Sequence, residues 1–468
     1  MSETLLPIVP IRHPLRAAVR VPGSKSLTNR ALLIAALAEG TTRLTNALFS
    51  DDSRYFAEAL KTLGFDVQLD PAPPISPPRA GGTEGGAGSM TVTGQGGRIP
   101  AKKAELFIGN AGTAARFLSA FLTLGTGEYI LDGDARMRER PLGDLVETLE
   151  QLGARVEPIN RGVGVGKLGV NQAPSPESQS TKSLCPPIKI VASGLPGGTA
   201  SIAGNISSQF LSALLMVAPY AQSPVRLKLS TELNSKPYVD MTIAIMQDFG
   251  VEVQRNGYES FAIPLTHYNI LGSPYPIESD ASAASYFFAA PAILGGTLRV
   301  ENISRRSKQG DIAFLDVLIQ MGCSVTEGDH FIEVTGSTQS LRGVDVDMRD
   351  IPDTAQTLAA VAPFASGPTR IRGIASARVK ETDRVAAMCA ELTRLGVDVE
   401  EYPDGLTIHP CATIQPASIQ TYNDHRMAMA FALVGLRAPG VSIENPGCVS
   451  KTFPNYFEVL GQLRHTDH

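Results

Sequence analysis

One phrase recurs along this chain: "FAEALKTLGFDV" from position 56, "LVETLEQLGARV" from 145, "TIAIMQDFGVEV" from 242, "FLDVLIQMGCSV" from 314 and "MCAELTRLGVDV" from 388. A shortened sixth copy, "YFEVLGQL", begins at 456. Repetition constrains the fold more tightly than composition does, because every copy must build the same local structure and bury the same face. Apolar residues three and four apart make each copy an amphipathic helix. Gly64, Gly153, Gly250, Gly322 and Gly396 then stand where a helix closes on a left-handed residue, and the alternating residues after them read as strand.

A second phrase alternates with the first, with a polar start, a run rich in Ala and Leu, and then a strand. Its copies are "SKSLTNRALLIAALAEGTTRL", "GNAGTAARFLSAFLTLGTGEYIL", "GNISSQFLSALLMVAPYAQSPVRL", "SDASAASYFFAAPAILGGTLRV", "IPDTAQTLAAVAPFASGPTRI" and "YNDHRMAMAFALVGLRAPGVSI". Helices apolar nearly all round are expected to be buried. Six repeats of a two-helix unit with mixed strands make an α/β protein, and 468 residues exceed what one core usually holds, so two domains are expected. Two insertions, "PAPPISPPRAGGTEGGAGS" and "NQAPSPESQSTKSLCPP", are rich in Pro, Gly and Ser and read as mobile surface loops.

Composition narrows the function classes. Apolar residues at 43% and charged residues at 19% suit a globular enzyme and exclude a disordered tail. No run of eighteen apolar residues occurs, so no membrane span is expected. The N-terminus lacks a signal-peptide pattern, so a cytoplasmic protein is expected. Five scattered cysteines without ligand spacing indicate neither a disulfide framework nor a zinc site. A formal charge of −5, aromatic residues at 6% and no tryptophan argue against a nucleic-acid partner.

The polar fronts of the buried helices carry the chemistry. Lys25 and Ser26, Asn110 and Thr113, Ser207 with Ser208 and Gln209, Asp280, Asp353, and Asp424 with His425 and Arg426 all fall there. A helix start has unpaired N–H groups and a partial positive charge, so converging starts favour anions. Capping explains any one of these residues and explains the cations poorly. "VPGSKSLTNR" is not a P-loop, since Ser24 rather than glycine precedes Lys25. "RMRERP" sets Arg136, Arg138 and Arg140 at alternating positions, which share a face if the segment is extended. "RVKETDR" gathers Arg378, Lys380, Glu381, Asp383 and Arg384, a phosphate site with acid and base groups or a solvated ion-pair network. Eight cations, Lys25, Arg30, Arg116, Arg136, Lys380, Arg384, Arg426 and Lys451, at helix fronts and adjoining loops of an acidic chain imply substrates with several negative charges.

Together "PGSKSLTNRALL", "GNAGTAARF", "RMRERPL", "SSQFLSALL", "SKPYVDMT", "RVKETDR", "NDHRMAMAFAL" and "KTFPNYFEVL" resemble, in order and across the chain, the 5-enolpyruvylshikimate-3-phosphate synthase family of enolpyruvyl transferases. The resemblance implies a two-domain inverted α/β barrel of six β-α-β-α-β-β units. One domain is expected from residues 1–21 plus 278–468 and the other from 22–277, with the active site in the cleft between them. It implies transfer of the enolpyruvyl group of phosphoenolpyruvate to the 5-hydroxyl of shikimate 3-phosphate by addition and elimination, without a cofactor or metal, in a monomer that glyphosate inhibits. Lys25, Gly112, Arg136, Arg384, Arg426 and Lys451 match residues that hold phosphoenolpyruvate. Lys25, Ser26, Arg30, Ser207, Ser208, Gln209, Ser235, Tyr238, Asp353 and Lys380 match those around shikimate 3-phosphate. Asp353, with Lys380 sharing the role, is the expected base, and Glu381 the expected acid, with Lys25 beside them. Asn110, Thr113, Arg116, Asp424 and His425 are further site candidates. Ser376 and Ala377 replace the family's asparagine and tryptophan, and Phe117 stands where a proline is common. The sister enzyme acting on UDP-N-acetylglucosamine usually carries a loop cysteine in its first half, whereas here the only cysteine before residue 300 is Cys185. A noncatalytic anion-binding protein would need neither Asp353 nor Glu381.

Overall fold

The computed structural model describes residues 5–71, 88–159, 184–270, 272 and 274–464. Most of the two insertions expected to be mobile lies outside them. Within the described residues one supersecondary unit is repeated. In the plainest copy, strand Lys103–Phe107 leads through helix Gly112–Leu122 to strand Thr126–Asp132, then through helix Gly143–Gln151 to strands Arg155–Pro158 and Ile188–Ser193. The first two strands pair in parallel, as a helical crossover requires, and the last two join antiparallel in the order first, second, fourth, third. Four other four-stranded sheets repeat this order, and a three-stranded sheet completes the set. That last sheet pairs Ala417–Ile419 with Val441–Glu444 and borrows Leu5–Pro7 from the other end of the chain as its antiparallel member.

The recurring phrases fall on helices closed by the expected glycines, but residues 251–253 after Gly250 are not strand, and the strand there begins at Gln254. All five C-cap glycines have positive φ, between 79° and 108°. The helix expected from residue 56 begins earlier, at Asp51, because Ser50 and Ser53 form a reciprocal cap. Every residue of Gly112–Leu122 is buried, and all of His425–Arg437 except its last arginine. No helix among the described residues is long and apolar enough to cross a membrane.

The burial divides into two hydrophobic cores. One runs from Leu27 to Ile277, and the other combines Ile8–Val21 with Ala281–Leu463. Two strands are exchanged between them. Leu15–Val19 leads into the first core's opening helix yet pairs with Gly296–Val300, while Tyr275–Pro276 leads into the second yet pairs with Leu44 and Thr45. The two connecting segments meet at a bridge between Gly23 and Ser279, flanked by Ser24 N–H donating to Glu278 O at 2.8 Å and Asp280 N–H to Pro22 O at 2.8 Å. Gly23 is required by space, since a Cβ there would lie 1.8 Å from the carbonyl oxygen of Asn46. Asp280 then caps helix Ala281–Leu294 through Ala283 N–H and also accepts Lys25 N–H at 3.1 Å, so one carboxylate fixes helix starts on both sides of the crossover.

Candidate active site

Buried helices starting at Lys25, Gly112, Ser208, Ala355 and His425 send their fronts toward one polar cavity between the cores, with about 290 Å³ of atom-free space. Lys25, Gly112, Thr113, Gln209, Asp353 and Arg426 line it from those fronts, and Lys380, Glu381 and Arg384 from the turn and start of helix Arg384–Arg394. Asp52 and Arg140 complete the lining. The sixth buried helix contributes its cap to the crossover rather than a lining residue.

Several local devices aim these groups. Ser24, Ser207, Asp383 and Asp424 accept backbone N–H bonds as N-caps. Tyr422 and Asn423 both hold φ of 54°, a strained left-handed pair that turns the chain sharply before Asp424. The expectation of three arginines on one extended face is corrected by the structure. Met137–Glu139 is a 3-10 turn, and its rotation sends the three side chains in different directions. Arg138 makes a bidentate pair with Asp132 at 2.8–2.9 Å. Arg140 enters the cavity and donates to Asn110 Oδ1 at 2.9 Å. Arg136 reaches across to the carbonyls of Lys380, at 2.9 Å, and Glu381, at 3.1 Å, without lining the cavity itself.

The centre of the site is a lattice of opposite charges. Arg384, 1% exposed, donates to Asp424 at 2.8 Å, to Glu381 at 2.8 Å and to Asp353 at 3.1 Å. Arg426 donates to Asp353 at 2.7 Å, and Lys380 stands 3.7 Å from the same carboxylate. Lys451 lies 3.2 Å from Glu381 and 3.8 Å from Asp52, which is 3.7 Å from Lys25. It also donates to Asn110 O at 2.7 Å. Burial alone would raise Asp353 and Glu381, but the cations overcome it. Arg426, Lys380, Arg384 and Lys25 hold Asp353 well below the usual carboxylate range, and Lys451, Arg384 and Arg140 do the same to Glu381. Burial lowers the Lys380 ammonium, with Asp353 opposing. The cavity therefore keeps ionised carboxylates among cations, and an incoming anion has to compete for those cations.

Beside this lattice, Arg30 is buried and has no carboxylate partner among the described residues. It donates to Thr242 at 2.7 Å, Ser26 O at 3.0 Å, Tyr238 O at 3.3 Å and Ser212 at 3.4 Å, and it stands 5.3 Å from the centre of the Phe117 ring. Burial pushes it down to about 9, which marks a cation that a ligand carboxylate would relieve. Gln209 donates to Thr113, and Ser207 and Ser208 open the same helix. Ser235, at φ 58°, donates to Arg349 O across the two cores.

Three candidates, Arg116, His425 and Asp424, sit behind the cavity rather than in its lining. Arg116 spends its donors on Gly112 O, Pro141 O and Met137 Sδ, bracing the turn. His425 is fully buried with neither ring nitrogen hydrogen-bonded; burial, then Lys25 and Arg426, hold it neutral. Asp424 serves Arg384 and the helix start. Asp52 was not legible as a site residue, because "SDDSRYF" reads as an ordinary acidic helix start, and Arg140 was legible only as one member of the arginine run. Among the described residues, no group of three or more His, Cys, Asp or Glu is arranged to hold a metal ion.

Comparison with known proteins follows the same line. A family profile described as EPSP synthase (3-phosphoshikimate 1-carboxyvinyltransferase) matches residues 9–172 and 177–460. The 3-phosphoshikimate 1-carboxyvinyltransferase of Nostoc punctiforme is 48% identical over 453 residues, covering 97% of each chain. That of Vibrio atlanticus is 47% identical over 463 residues, 99% of each. An EPSP synthase structure from Acinetobacter baumannii matches with a TM-score of 0.74 over 98% of both chains, and at 24% identity it is a likeness of fold.

Proposed function

Because the chain belongs to the EPSP synthase family, and so transfers the enolpyruvyl group of phosphoenolpyruvate to shikimate 3-phosphate in the shikimate pathway, we propose a division of labour within the cleft. Lys25, Gly112, Arg136, Arg384, Arg426 and Lys451 hold phosphoenolpyruvate, with Arg140 added to that set. Ser26, Arg30, Ser207, Ser208, Gln209, Ser235, Tyr238 and Lys380, with Lys25 and Asp353, surround shikimate 3-phosphate. The guanidinium of Arg30, buried without a carboxylate partner among the described residues, supports a carboxylate there.

Asp353 accepts the 5-hydroxyl proton, with Lys380 beside it, as oxygen attacks C2 of phosphoenolpyruvate. Glu381 gives a proton to the methylene carbon, producing a tetrahedral adduct. Loss of phosphate and return of a methyl proton then restore the enol ether. The observation carrying this reading is that the two carboxylates share their cations, Arg384 touching both, Arg426 touching Asp353 and Lys451 touching Glu381. These are the cations that match phosphoenolpyruvate contacts. Its phosphate and carboxylate would draw them away, and both carboxyl pKa values would rise toward the range where proton transfer is efficient. Substrate binding itself prepares the acid and the base.

Supported by the two cores, the domains are taken as 1–21 plus 278–468 and 22–277. A cytoplasmic monomer, inhibited by glyphosate beside Gly112, completes the proposal. The test is phosphate release from phosphoenolpyruvate with shikimate 3-phosphate or UDP-N-acetylglucosamine as acceptor. Release with the sugar nucleotide alone would defeat it.

A further inference from the structure

Asp311 belongs to no recurring phrase and was not a site candidate, yet it is 4% exposed and built into the boundary between the cores. It lies in the 3-10 turn Gly310–Ala313, which packs on the front of helix Lys236–Asp248 from the other core. The Tyr238 hydroxyl on that helix donates to both Asp311 oxygens, at 3.0 and 3.1 Å, and Ser282 donates to Oδ2. No cation lies within ion-pair distance of Asp311 among the described residues. Burial, then the charge of Asp353, push its carboxyl up to about 6, with Arg426 and the two hydroxyl donors opposing.

A second observation shows how closely the turn is fitted. A Cβ on Gly310 would lie 2.2 Å from Cβ of Pro237, the residue before Tyr238. The φ at Gly310 is not in the left-handed region, so glycine is needed for space rather than conformation. Any side chain at 310 would push the carboxylate away from the phenol.

We propose that Asp311 is a positioning residue for the acceptor substrate: from one half of the molecule it fixes the Tyr238 hydroxyl of the other, and so sets the wall of the shikimate 3-phosphate pocket only when the halves are together. The proposal rests on the reading of Tyr238 as an acceptor-pocket residue. The backbone carbonyl of Tyr238 also accepts from Arg30, so the same side-chain anchor steadies the guanidinium that faces the acceptor's carboxylate. Phosphoenolpyruvate is held by the charge lattice, which reaches Asp311 through the fields of Asp353 and Arg426 but not through a hydrogen bond.

Steady-state kinetics with each substrate varied tests the idea. A hydrogen bond to an ionised acceptor is worth roughly a tenfold change or more. Tyr238→Phe, Asp311→Ala and Gly310→Ala are each expected to raise KM for shikimate 3-phosphate by about tenfold while KM for phosphoenolpyruvate stays within about twofold. Asp311→Asn keeps an oxygen that can accept from the phenol and should recover most of the loss. Tyr238→Phe combined with Asp311→Ala should be no worse than either alone. Because Tyr238→Phe removes a single oxygen, the test survives if alanine at 311 does not fold. An effect of Tyr238→Phe without one of Asp311→Ala would overturn the proposal and leave the pocket reading intact. No effect of Tyr238→Phe would overturn both. Equal rises in the two KM values, or multiplicative losses in the double variant, would also overturn the positioning role.

Discussion

Gly112→Ala offers the sharpest test of the charge lattice, because the added methyl collides with a particular cation. A Cβ at 112 would lie 2.3 Å from Nη2 and 2.7 Å from Cζ of Arg140, where ordinary contact starts at 3.4 Å. The guanidinium must therefore retreat by about 1 Å, the far end of a flexible side chain giving way before helix backbone does. Retreat breaks its bonds to Asn110 Oδ1 at 2.9 Å and Asn110 O at 3.2 Å. It also weakens one of the positive fields acting on Glu381 and on the phosphoenolpyruvate site. A lost charge-assisted contact costs about 1.5–3 kcal/mol, or roughly 10–150-fold in affinity. KM for phosphoenolpyruvate should rise by that factor, with KM for shikimate 3-phosphate little changed. Arg140→Ala should reproduce the loss, and the double variant should match Arg140→Ala alone. A full additional loss in the double variant would show that the methyl obstructs the substrate directly, and the account through Arg140 would be wrong.

Asp353→Ala is expected to lower kcat by about 10²–10⁴-fold as a lost general base, while phosphoenolpyruvate binds at least as tightly because Arg384 and Arg426 are released; calorimetry showing weaker phosphoenolpyruvate binding would contradict the shared-cation picture. His425, whose folded pKa is depressed, contributes stability that is present above about pH 6.5 and lost as pH falls toward its folded value, at about 1.4 kcal/mol per pH unit for one proton. Asp311, raised to about 6, acts with the opposite sign, its contribution being lost as pH rises through that value. Denaturant midpoints of His425→Phe should therefore fall less between pH 6.5 and 5 than those of the unaltered protein, and parallel curves would refute the assignment. Glyphosate inhibition should be competitive with phosphoenolpyruvate; a noncompetitive pattern would move the inhibitor away from Gly112.

The two-helix core of the repeated unit was legible from the sequence, because helix periodicity and C-cap glycines are set by neighbours within a few residues. The same locality exposed Lys25, Asp353, Arg384 and Arg426, since a cation or carboxylate at the start of an apolar helix is conspicuous wherever the helix packs. What joins these residues is not local. Nothing within the strands themselves shows that Leu15–Val19 and Tyr275–Pro276 exchange places between the cores, because strand pairing satisfies backbone groups hundreds of residues apart; only the family resemblance, through its discontinuous domain, implied it. Tertiary structure alone decided that Arg140 rather than its neighbours faces the cavity, since one 3-10 turn redirects three arginines that an extended chain would align. Asp52 and Asp311 took on meaning only when folding brought Lys451 and Tyr238 to them. The sequence by itself determined the kinds of charge this protein would present; which charges meet, and how far each carboxylate is held from its ordinary pKa, follows from distances that only the folded chain sets.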